Sequence, residues 1–266
     1  MFFVDYHTHT SFSYDSEATL DSMCKKAIEI GLEEIAFTDH LDLVTTKNFD
    51  WSMDLNERNK AIEQAKCMYK EQIRIINGIE LGQPQANKTE YEKFLKVADM
   101  DFIIGSIHNL QGDREIEFLD YSSINCEEMY DEYIDLEIEL AQGYDFDVLG
   151  HITLPQRYMY MSIGKTVDLL PFEKKYKHLF EILRDRDKGI EVNTSGLRKG
   201  AKETLPSVQV LRWYKQSGGE IITIGSDAHS TNNLSFGIKE TYKLLKEIGF
   251  KYIMTYEERV IKKHII

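Results

Sequence analysis

The stretch VDYHTHT, residues 4–10, continues a short apolar run that begins at Phe2 and is typical of a buried strand. Side chains two residues apart in an extended strand point to the same side. His7 and His9 are therefore predicted to present two imidazole rings to one metal ion. A His-x-His pair alone is a weak signal, so this prediction depends on what the rest of the chain adds.

Five more apolar runs end in His, Asp or Glu, the residue types that bind transition metals. The runs are 35–38 before Asp39 and His40, 73–79 before Glu80, 102–107 before His108, 146–149 before His151, and 221–225 before Asp227 and His229. A further run, 189–192, leads into Asn193. We interpret the His, Asp and Glu endings as parts of one metal site.

Segments of helical length lie between these runs, and strands that alternate with helices predict a parallel sheet. The predicted helices are 16–31, 55–71, 89–98, 125–142, 171–186, 205–217 and 234–248. In a (β/α) barrel the carboxyl ends of all strands converge on one face, which would bring His7 and His229 together. We therefore predict an α/β fold, a TIM-like barrel with seven strands, as a single domain over residues 1–266. A doubly wound open sheet is the alternative, although it brings fewer strand ends together.

Residues 109–124 have no clear helical or strand period and are expected to form a loop over the site. The alcohol half of the substrate is expected to depend on this loop and on the predicted loops 41–54 and 155–166. The stretch 252–256 is predicted to be a terminal strand or extended piece.

The composition limits the partners and the compartment. The formal net charge of -13 disfavours binding to nucleic acid, and no stretch is apolar enough to cross a membrane. The three cysteines, Cys24, Cys67 and Cys126, lack a CxxC spacing and are predicted to be small buried or half-buried thiols. With no signal-peptide pattern at the N-terminus, these features predict a cytoplasmic protein. The oligomeric state is not fixed by the sequence.

Six of the eight histidines stand at predicted strand ends, and His178 and His264 do not. A single histidine after a strand is commonly a hydrogen-bonded loop residue. Six in equivalent places, together with Glu80 and Asp227, would repel one another or lack partners at one barrel mouth without cations. The pattern therefore favours a metal centre, and we expect His178 and His264 to be solvated.

On these motifs the chain resembles the PHP (polymerase and histidinol phosphatase) superfamily. The shared motifs, in the family's order, are His7-Thr8-His9, Thr38-Asp39-His40, Glu80, His108, His151 and Gly225-Ser226-Asp227-Ala228-His229. The resemblance covers nearly the whole chain. It implies a distorted seven-stranded (β/α) barrel with two or three divalent transition-metal ions, which would be zinc, manganese or iron.

Carried over residue by residue, the resemblance implies three metal positions. His7, His9, Glu80 and Asp227 would hold the first; Glu80 would bridge to the second, which His108 and His151 complete; His40 and His229 would hold the third. Many family members add a histidine to the third position where this chain has Asp15. Asp15 is a candidate ligand and Glu17 is the reserve, and the alternative for both is a cap or a first-turn charge on the next helix.

Within the superfamily the chain is most similar to the monofunctional histidinol-phosphate phosphatases, through its length, its long segment after His108 and the stretch 193–199 (NTSGLRK). The resemblance implies that Arg198 meets the substrate phosphate, which suits a guanidinium fork. Arg157 is a second phosphate candidate, and Lys199 is expected to be solvated. The alternative for Arg198 is an ordinary surface arginine.

The predicted activity is hydrolysis of a small phosphomonoester, with L-histidinol phosphate as the best candidate, by a metal-activated hydroxide. Such a phosphatase would serve histidine biosynthesis. Asp39 is predicted to act as a proton carrier for the leaving group or as an outer partner of a ligand. A nuclease of the same superfamily and a non-catalytic metal-binding module are the alternatives; a nuclease should show a basic track with aromatic residues, and none is evident here.

Overall fold

The structure, a computed structural model, describes residues 2–43, 53–112 and 114–266. In chain order the strands are β1 (Val4–Thr8), β2 (Glu34–Phe37), β3 (His40–Asp42), β4 (Arg74–Gly82), β5 (Phe102–Ser106), β6 (Asn109–Leu110), β7 (Arg114–Glu115), β8 (Val148–Leu149), β9 (Gly189–Asn193), β10 (Ile222–Gly225), β11 (Tyr252–Glu257) and β12 (Val260–Ile265). The α-helices are α1 (Leu20–Ile30), α2 (Leu55–Tyr69), α3 (Lys88–Val97), α4 (Cys126–Gly143), α5 (Leu154–Ile163), α6 (Glu173–Asp185), α7 (Ser195–Arg198), α8 (Val208–Gln216) and α9 (Ile238–Ile248).

Seven parallel strands form the barrel wall in the order β1-β2-β4-β5-β8-β9-β10. The wall closes where Thr8 in β1 forms a parallel bridge with Ala228, just beyond β10. The Asp227 N–H donates to His7 O at 2.8 Å, and the His9 N–H donates to Ala228 O at 2.9 Å. This closure confirms the predicted seven-stranded barrel and excludes the open doubly wound sheet.

The second position of the wall is divided between two short strands. β2 pairs with the first half of β4, as far as Phe37 opposite Asn77. β3 then continues along the second half of β4, with His40 opposite Glu80. The interruption at Thr38 and Asp39 therefore delivers His40 to the carboxyl end of the barrel beside Glu80.

Helix boundaries follow the capping residues rather than the apolar period alone. α1 begins after Thr19, whose side chain accepts a hydrogen bond from Ser22 N, and it ends at Gly31 with a left-handed φ of 78°. The helix predicted from residue 16 therefore starts later than expected. Asp54 caps α2 and Asn125 caps α4 in the same way as Thr19, with the side-chain oxygen accepting from backbone N–H groups.

The predicted loops contain regular structure that the sequence did not reveal. Residues 155–166, expected to be a loop, are mostly α5, and Pro155 sits in its first turn, where a missing N–H costs nothing. Residues 109–124 hold the hairpin β6–β7 and a 3-10 helix, Ile116–Phe118. Of the third predicted loop, 41–54, residues 44–52 lie outside the described part of the chain.

The chain ends in the antiparallel hairpin β11–β12 rather than the single strand that was predicted. His264 in β12 stacks on Phe2 with ring centroids 3.8 Å apart, and its Nε2 lies 2.8 Å from the Thr255 hydroxyl. The expectation that His264 is solvated is therefore wrong, because the hairpin folds back onto the start of the chain. His178 on α6 is 56% exposed, as expected.

All three cysteines are free: Cys24 is buried, Cys126 is half-buried and Cys67 is exposed. The prediction of a buried or half-buried thiol is wrong for Cys67, which lies on the outer face of α2. Within the described ranges, no helix has both the length and the apolar character that crossing a membrane requires.

Candidate metal centre and active site

The predicted metal ligands meet at the carboxyl ends of the barrel strands. The side chains that come together are His7, His9, Asp15, His40, Glu80, His108, His151, Asp227 and His229. They surround and underlie a cavity of about 400 Å³. The topology thus joins residues that are more than 200 positions apart in the sequence.

The first group lies deepest. His7 Nε2 and His9 Nε2 face each other at 3.0 Å, as expected for residues i and i+2 of one strand. Glu80 Oε2 lies 3.2 Å from His7 Nε2 and 3.6 Å from His9 Nε2. Asp227 Oδ1 lies 3.4 Å from His9 Nε2. The four side chains can surround one ion.

The second group shares Glu80. Its other oxygen, Oε1, lies 2.8 Å from His151 Nε2 and 3.2 Å from His108 Nε2, and the two ring nitrogens are 3.3 Å apart. Because the two carboxylate oxygens of Glu80 face different histidine pairs, this residue is placed to bridge two ions.

The third group contains Asp15, His40 and His229. Asp15 Oδ2 lies 2.9 Å from His229 Nε2 and 3.7 Å from His40 Nε2. Glu17 is exposed, and Thr19 rather than either acid caps α1. The capping alternative therefore does not hold for Asp15, and the placement favours it over Glu17 as a ligand.

The ligand atoms fit metal ions better than they fit one another. His40 Nδ1 lies 2.9 Å from Glu80 Oε2, and His229 Nε2 lies 2.9 Å from Asp15 Oδ2. These three buried atoms, Glu80 Oε2, His40 Nδ1 and His229 Nε2, nevertheless form no hydrogen bond of ordinary geometry among the described residues. Buried polar atoms are almost always paired, so these atoms are suited to contact a cation. Ligand atoms lie within 4.8 Å of one another in three overlapping sets: His7 with His9 and Glu80, His9 with His40 and His229, and His40 with Glu80 and His108.

Electrostatics gives part of the ligand set the protonation state that a metal requires. Burial lowers the pKa of His7, His40 and His108, but nearby carboxylates raise it more, so a metal would displace protons from these three rings. Burial raises the pKa of Glu80, but the neighbouring imidazoles of His7, His108 and His40 lower it more, so that the net pKa is well below its usual value. Burial, with the neighbouring histidines His229 and His40, lowers the pKa of His9 to about 3. An ionised carboxylate and a neutral imidazole are the forms that ligate transition metals.

Three acceptors that sequence reasoning missed hold the far side of the histidine rings. Glu191 Oε1 lies 2.7 Å from His7 Nδ1, and Asp42 Oδ1 lies 2.9 Å from His108 Nδ1. The Ser13 hydroxyl lies 3.0 Å from His9 Nδ1. With each Nδ1 held from behind, the Nε2 atoms are aimed at the metal positions.

Two of these partners left a trace in the sequence. Glu191 is the one charged residue in the apolar run 189–192, and Asp42 follows His40 by two residues in a strand. A carboxylate inside a buried strand needs a partner. The presence of Glu191 in an apolar run could therefore have been used to predict a contact with one of the histidine ligands.

Asp39 lies behind the site rather than in it. Its Oδ1 accepts from Thr10 N, Thr10 Oγ1 and Ser13 Oγ, and its Oδ2 accepts from Arg58 Nε at 2.8 Å. Asp39 and Arg58 are both fully buried. Although burial raises the pKa of Asp39, Arg58 and His9 lower it below its ordinary value. This placement argues against the predicted proton carrier and fits the alternative, an outer partner that reaches His9 through Ser13.

The backbone at the ligands is held in uncommon conformations. Asp227 has a φ of 54° and His151 a φ of 22°, values that side-chain-bearing residues rarely adopt. A Cβ on Gly225 would lie 2.3 Å from His7 Cβ, so glycine is needed for β10 to approach β1. Such strain concentrates at functional sites and is consistent with a pre-formed ligand set.

Both predicted phosphate-binding arginines line the cavity beside the ligands. Arg157 donates from Nη1 to Ser195 Oγ at 2.6 Å and lies 3.4 Å from Asp227 Oδ2. Arg198 donates to two backbone carbonyls, Ser226 O at 2.6 Å and Asp227 O at 3.0 Å. Each Nε is buried without a partner among the described residues. Lys199 is exposed at the cavity mouth, as expected.

The sequence is similar to those of known proteins. The PHP domain family matches residues 5–195. A histidinol-phosphatase from Lactococcus lactis is 32% identical over 270 residues, which cover 98% of this chain and 97% of the relative. A probable histidinol-phosphatase from Thermotoga maritima is 24% identical over 94% of both chains.

Two solved structures have the same fold as this chain. The crystal structure of a histidinol phosphate phosphatase from Lactococcus lactis, in complex with zinc, L-histidinol and phosphate, superposes with a TM-score of 0.89 at 29% identity. It covers 98% of this chain and 99% of that one. A putative histidinol phosphatase from Listeria monocytogenes, 22% identical, has the same fold with a TM-score of 0.77, over 89% of this chain and 99% of its own.

Proposed function

Since this chain belongs to the PHP domain family, we propose that it is a metal-dependent phosphatase that hydrolyses L-histidinol phosphate to L-histidinol and phosphate, with residues 1–266 as one phosphoesterase domain. Its place would be in histidine biosynthesis. A cytoplasmic location is part of the proposal and is supported by the three free cysteines, which fit a reducing compartment.

One observation carries the proposal: a ligand set for several cations and two arginines open onto the same cavity. The cations and the guanidinium groups are the two kinds of charge that stabilise a phosphoryl group during transfer. The L-histidinol and phosphate in the Lactococcus lactis structure support the choice of substrate. Phe118, which is 69% exposed, also lines the cavity and offers an aromatic surface on which an imidazole ring can stack.

The metal positions in the proposal follow the three groups. His7, His9, Glu80 and Asp227 hold one ion; Glu80, His108 and His151 hold a second; Asp15, His40 and His229 hold a third. When bound, divalent zinc, manganese or iron ions supply polarisation of the phosphoryl group and activation of water.

The protein's own residues bind and orient the substrate. Arg198 is fixed by two backbone carbonyls, and Arg157 is fixed by Ser195. Their guanidinium groups are thus held in place before substrate arrives, so little side-chain entropy is lost when they receive the phosphate oxygens. The positive charges also neutralise the negative charge that collects on the transferring group.

The test is phosphate release by the metal-loaded protein from L-histidinol phosphate, other small phosphomonoesters, nucleotides and a phosphodiester. We expect a preference for L-histidinol phosphate that disappears in His9→Ala and falls by about 10- to 100-fold in Arg198→Ala. Turnover of the phosphodiester or the nucleotides instead would favour the nuclease. Absence of turnover with metals bound would favour the non-catalytic module. That the protein binds no nucleic acid stays a prediction.

A further inference from the structure

The cavity contains an acidic side chain that phosphate binding does not require. Glu117, on the 3-10 helix Ile116–Phe118, lines the same cavity as Arg157 and Arg198 and is exposed to it. A carboxylate near a phosphate dianion weakens binding unless the substrate also brings a positive charge. The presence of Glu117 therefore indicates that the alcohol half of the substrate carries a positive charge.

Glu117 is joined to the phosphate-binding side by one phenol. Arg157 Nη2 donates to the Tyr158 hydroxyl at 2.7 Å, and that hydroxyl donates to Glu117 Oε2 at 3.1 Å. Within the described residues, this is the one hydrogen bond that the Glu117 carboxylate receives. The guanidinium and the carboxylate thus lie a single oxygen atom apart, at a fixed spacing.

The segment that carries Glu117 is rigidly attached beside a metal ligand. Ile116 is fully buried, its N–H donates to His108 O at 2.9 Å, and its carbonyl accepts from the Tyr121 hydroxyl at 2.7 Å. Glu117 is therefore positioned by the same strand end that positions His108, rather than placed on a free loop.

We propose that Glu117 selects substrates with a cationic amine on the carbon next to the phosphate-bearing carbon, that is, O-phosphorylated vicinal amino alcohols. The phosphate would lie against Arg157 while the ammonium group reaches Glu117, a few bonds away. Tyr158 keeps the two recognition groups at the spacing that such a molecule spans. This inference rests on the proposed function, because L-histidinol phosphate carries such an amine.

The experiment compares matched esters with and without the amine. L-Histidinol phosphate is paired with 3-(imidazol-4-yl)propyl phosphate, and 2-aminoethyl phosphate is paired with ethyl phosphate. For each pair the ratio of kcat/KM is measured with the metal-loaded protein. In Glu117→Gln we expect the ratio of amine to amine-free ester to fall by about 10-fold, and Glu117→Asp to recover part of it. The control Glu128→Gln, an exposed acid on α4 that does not line the cavity, should keep the wild-type ratio.

The outcomes separate the two proposals. An unchanged ratio in Glu117→Gln, or an equal loss on both members of each pair, would overturn the assignment of Glu117 while leaving the phosphatase intact. If wild-type protein hydrolyses the second pair but not L-histidinol phosphate, the proposed substrate is wrong, and the ratio for the second pair still decides the role of Glu117. Wild-type protein that hydrolyses none of the esters would overturn both.

Discussion

Glu191→Gln should weaken metal binding although Glu191 is not a metal ligand. The carboxylate lies behind two ligands at once: Oε1 is 2.7 Å from His7 Nδ1, and Oε2 accepts from His151 N at 2.9 Å. Oε2 also accepts from Asn193 Nδ2 at 3.2 Å. The substitution keeps the size of the side chain and removes its charge and one of its acceptors.

The expected magnitude follows from the hydrogen bonds. His7 Nδ1 must carry the proton if Nε2 faces a metal, so Glu191 accepts from an N–H group at both of its oxygens, toward His7 and toward His151. A glutamine can accept from only one of them, and its own NH₂ group then faces the other donor. Loss of an outer-shell partner of this kind lowers metal affinity by roughly 10- to 100-fold, or about 1.4 to 2.7 kcal/mol.

The assay is competition with a chromophoric chelator, with zinc and with manganese, together with the number of metals bound per chain by elemental analysis. Glu128→Gln on α4 is the matched control, because it removes the same charge from an exposed position. Affinities of Glu191→Gln within about twofold of wild type, with the metal content unchanged, would refute the orienting role of Glu191.

Two further substitutions test the buried residues behind the site. Arg58→Ala leaves the buried Asp39 carboxylate without its partner, and chemical denaturation should show that the free energy of unfolding falls by about 3–5 kcal/mol. The control Arg184→Ala, on the surface, should lower it by less than about 1 kcal/mol, and equal losses would count against the buried pair. Gly225→Ala forces a methyl group against His7, so the free energy of unfolding should fall by about 1–3 kcal/mol and the metal content should be reduced. The control Gly143→Ala, where nothing lies within 4 Å, should be near neutral. A stable, fully metallated Gly225→Ala would show that β10 and β1 can move apart to accept the methyl group.

The residues at the strand ends were predictable because two simple rules combine there. A polar side chain after an apolar run stands out in the sequence, and parallel strands of a barrel place such ends on one face. His108 and His151 belong to different strands with no shared motif, yet both rules apply to each. The same rules predict position only, and they say nothing about which ring nitrogen faces the metal.

The boundaries of elements were less predictable because they depend on local hydrogen bonds. Residues 155–166 were predicted to form a loop, but a proline in the first turn is compatible with a helix, and α5 begins at Leu154, just before Pro155. α1 starts at Leu20 because the side chain of Thr19, rather than Asp15 or Glu17, caps it. Asp15 does not cap the helix, and its carboxylate lies beside the His229 ring instead.

The motif Thr38-Asp39-His40 shows where sequence reasoning ends. All three residues match the family pattern, but only His40 lines the cavity. The strand is interrupted between β2 and β3, and the Asp39 side chain there points toward Arg58 on α2. No periodic pattern links Arg58 to this motif, since the two are joined only by the tertiary fold. The motif therefore contains one residue that faces the metals and one that fixes the wall behind them, and activity assays alone would not distinguish the two. Metal affinity should respond to both positions, whereas the stability of the metal-free protein should fall much more for Asp39→Asn, which removes the buried charge that Arg58 requires, than for His40→Ala.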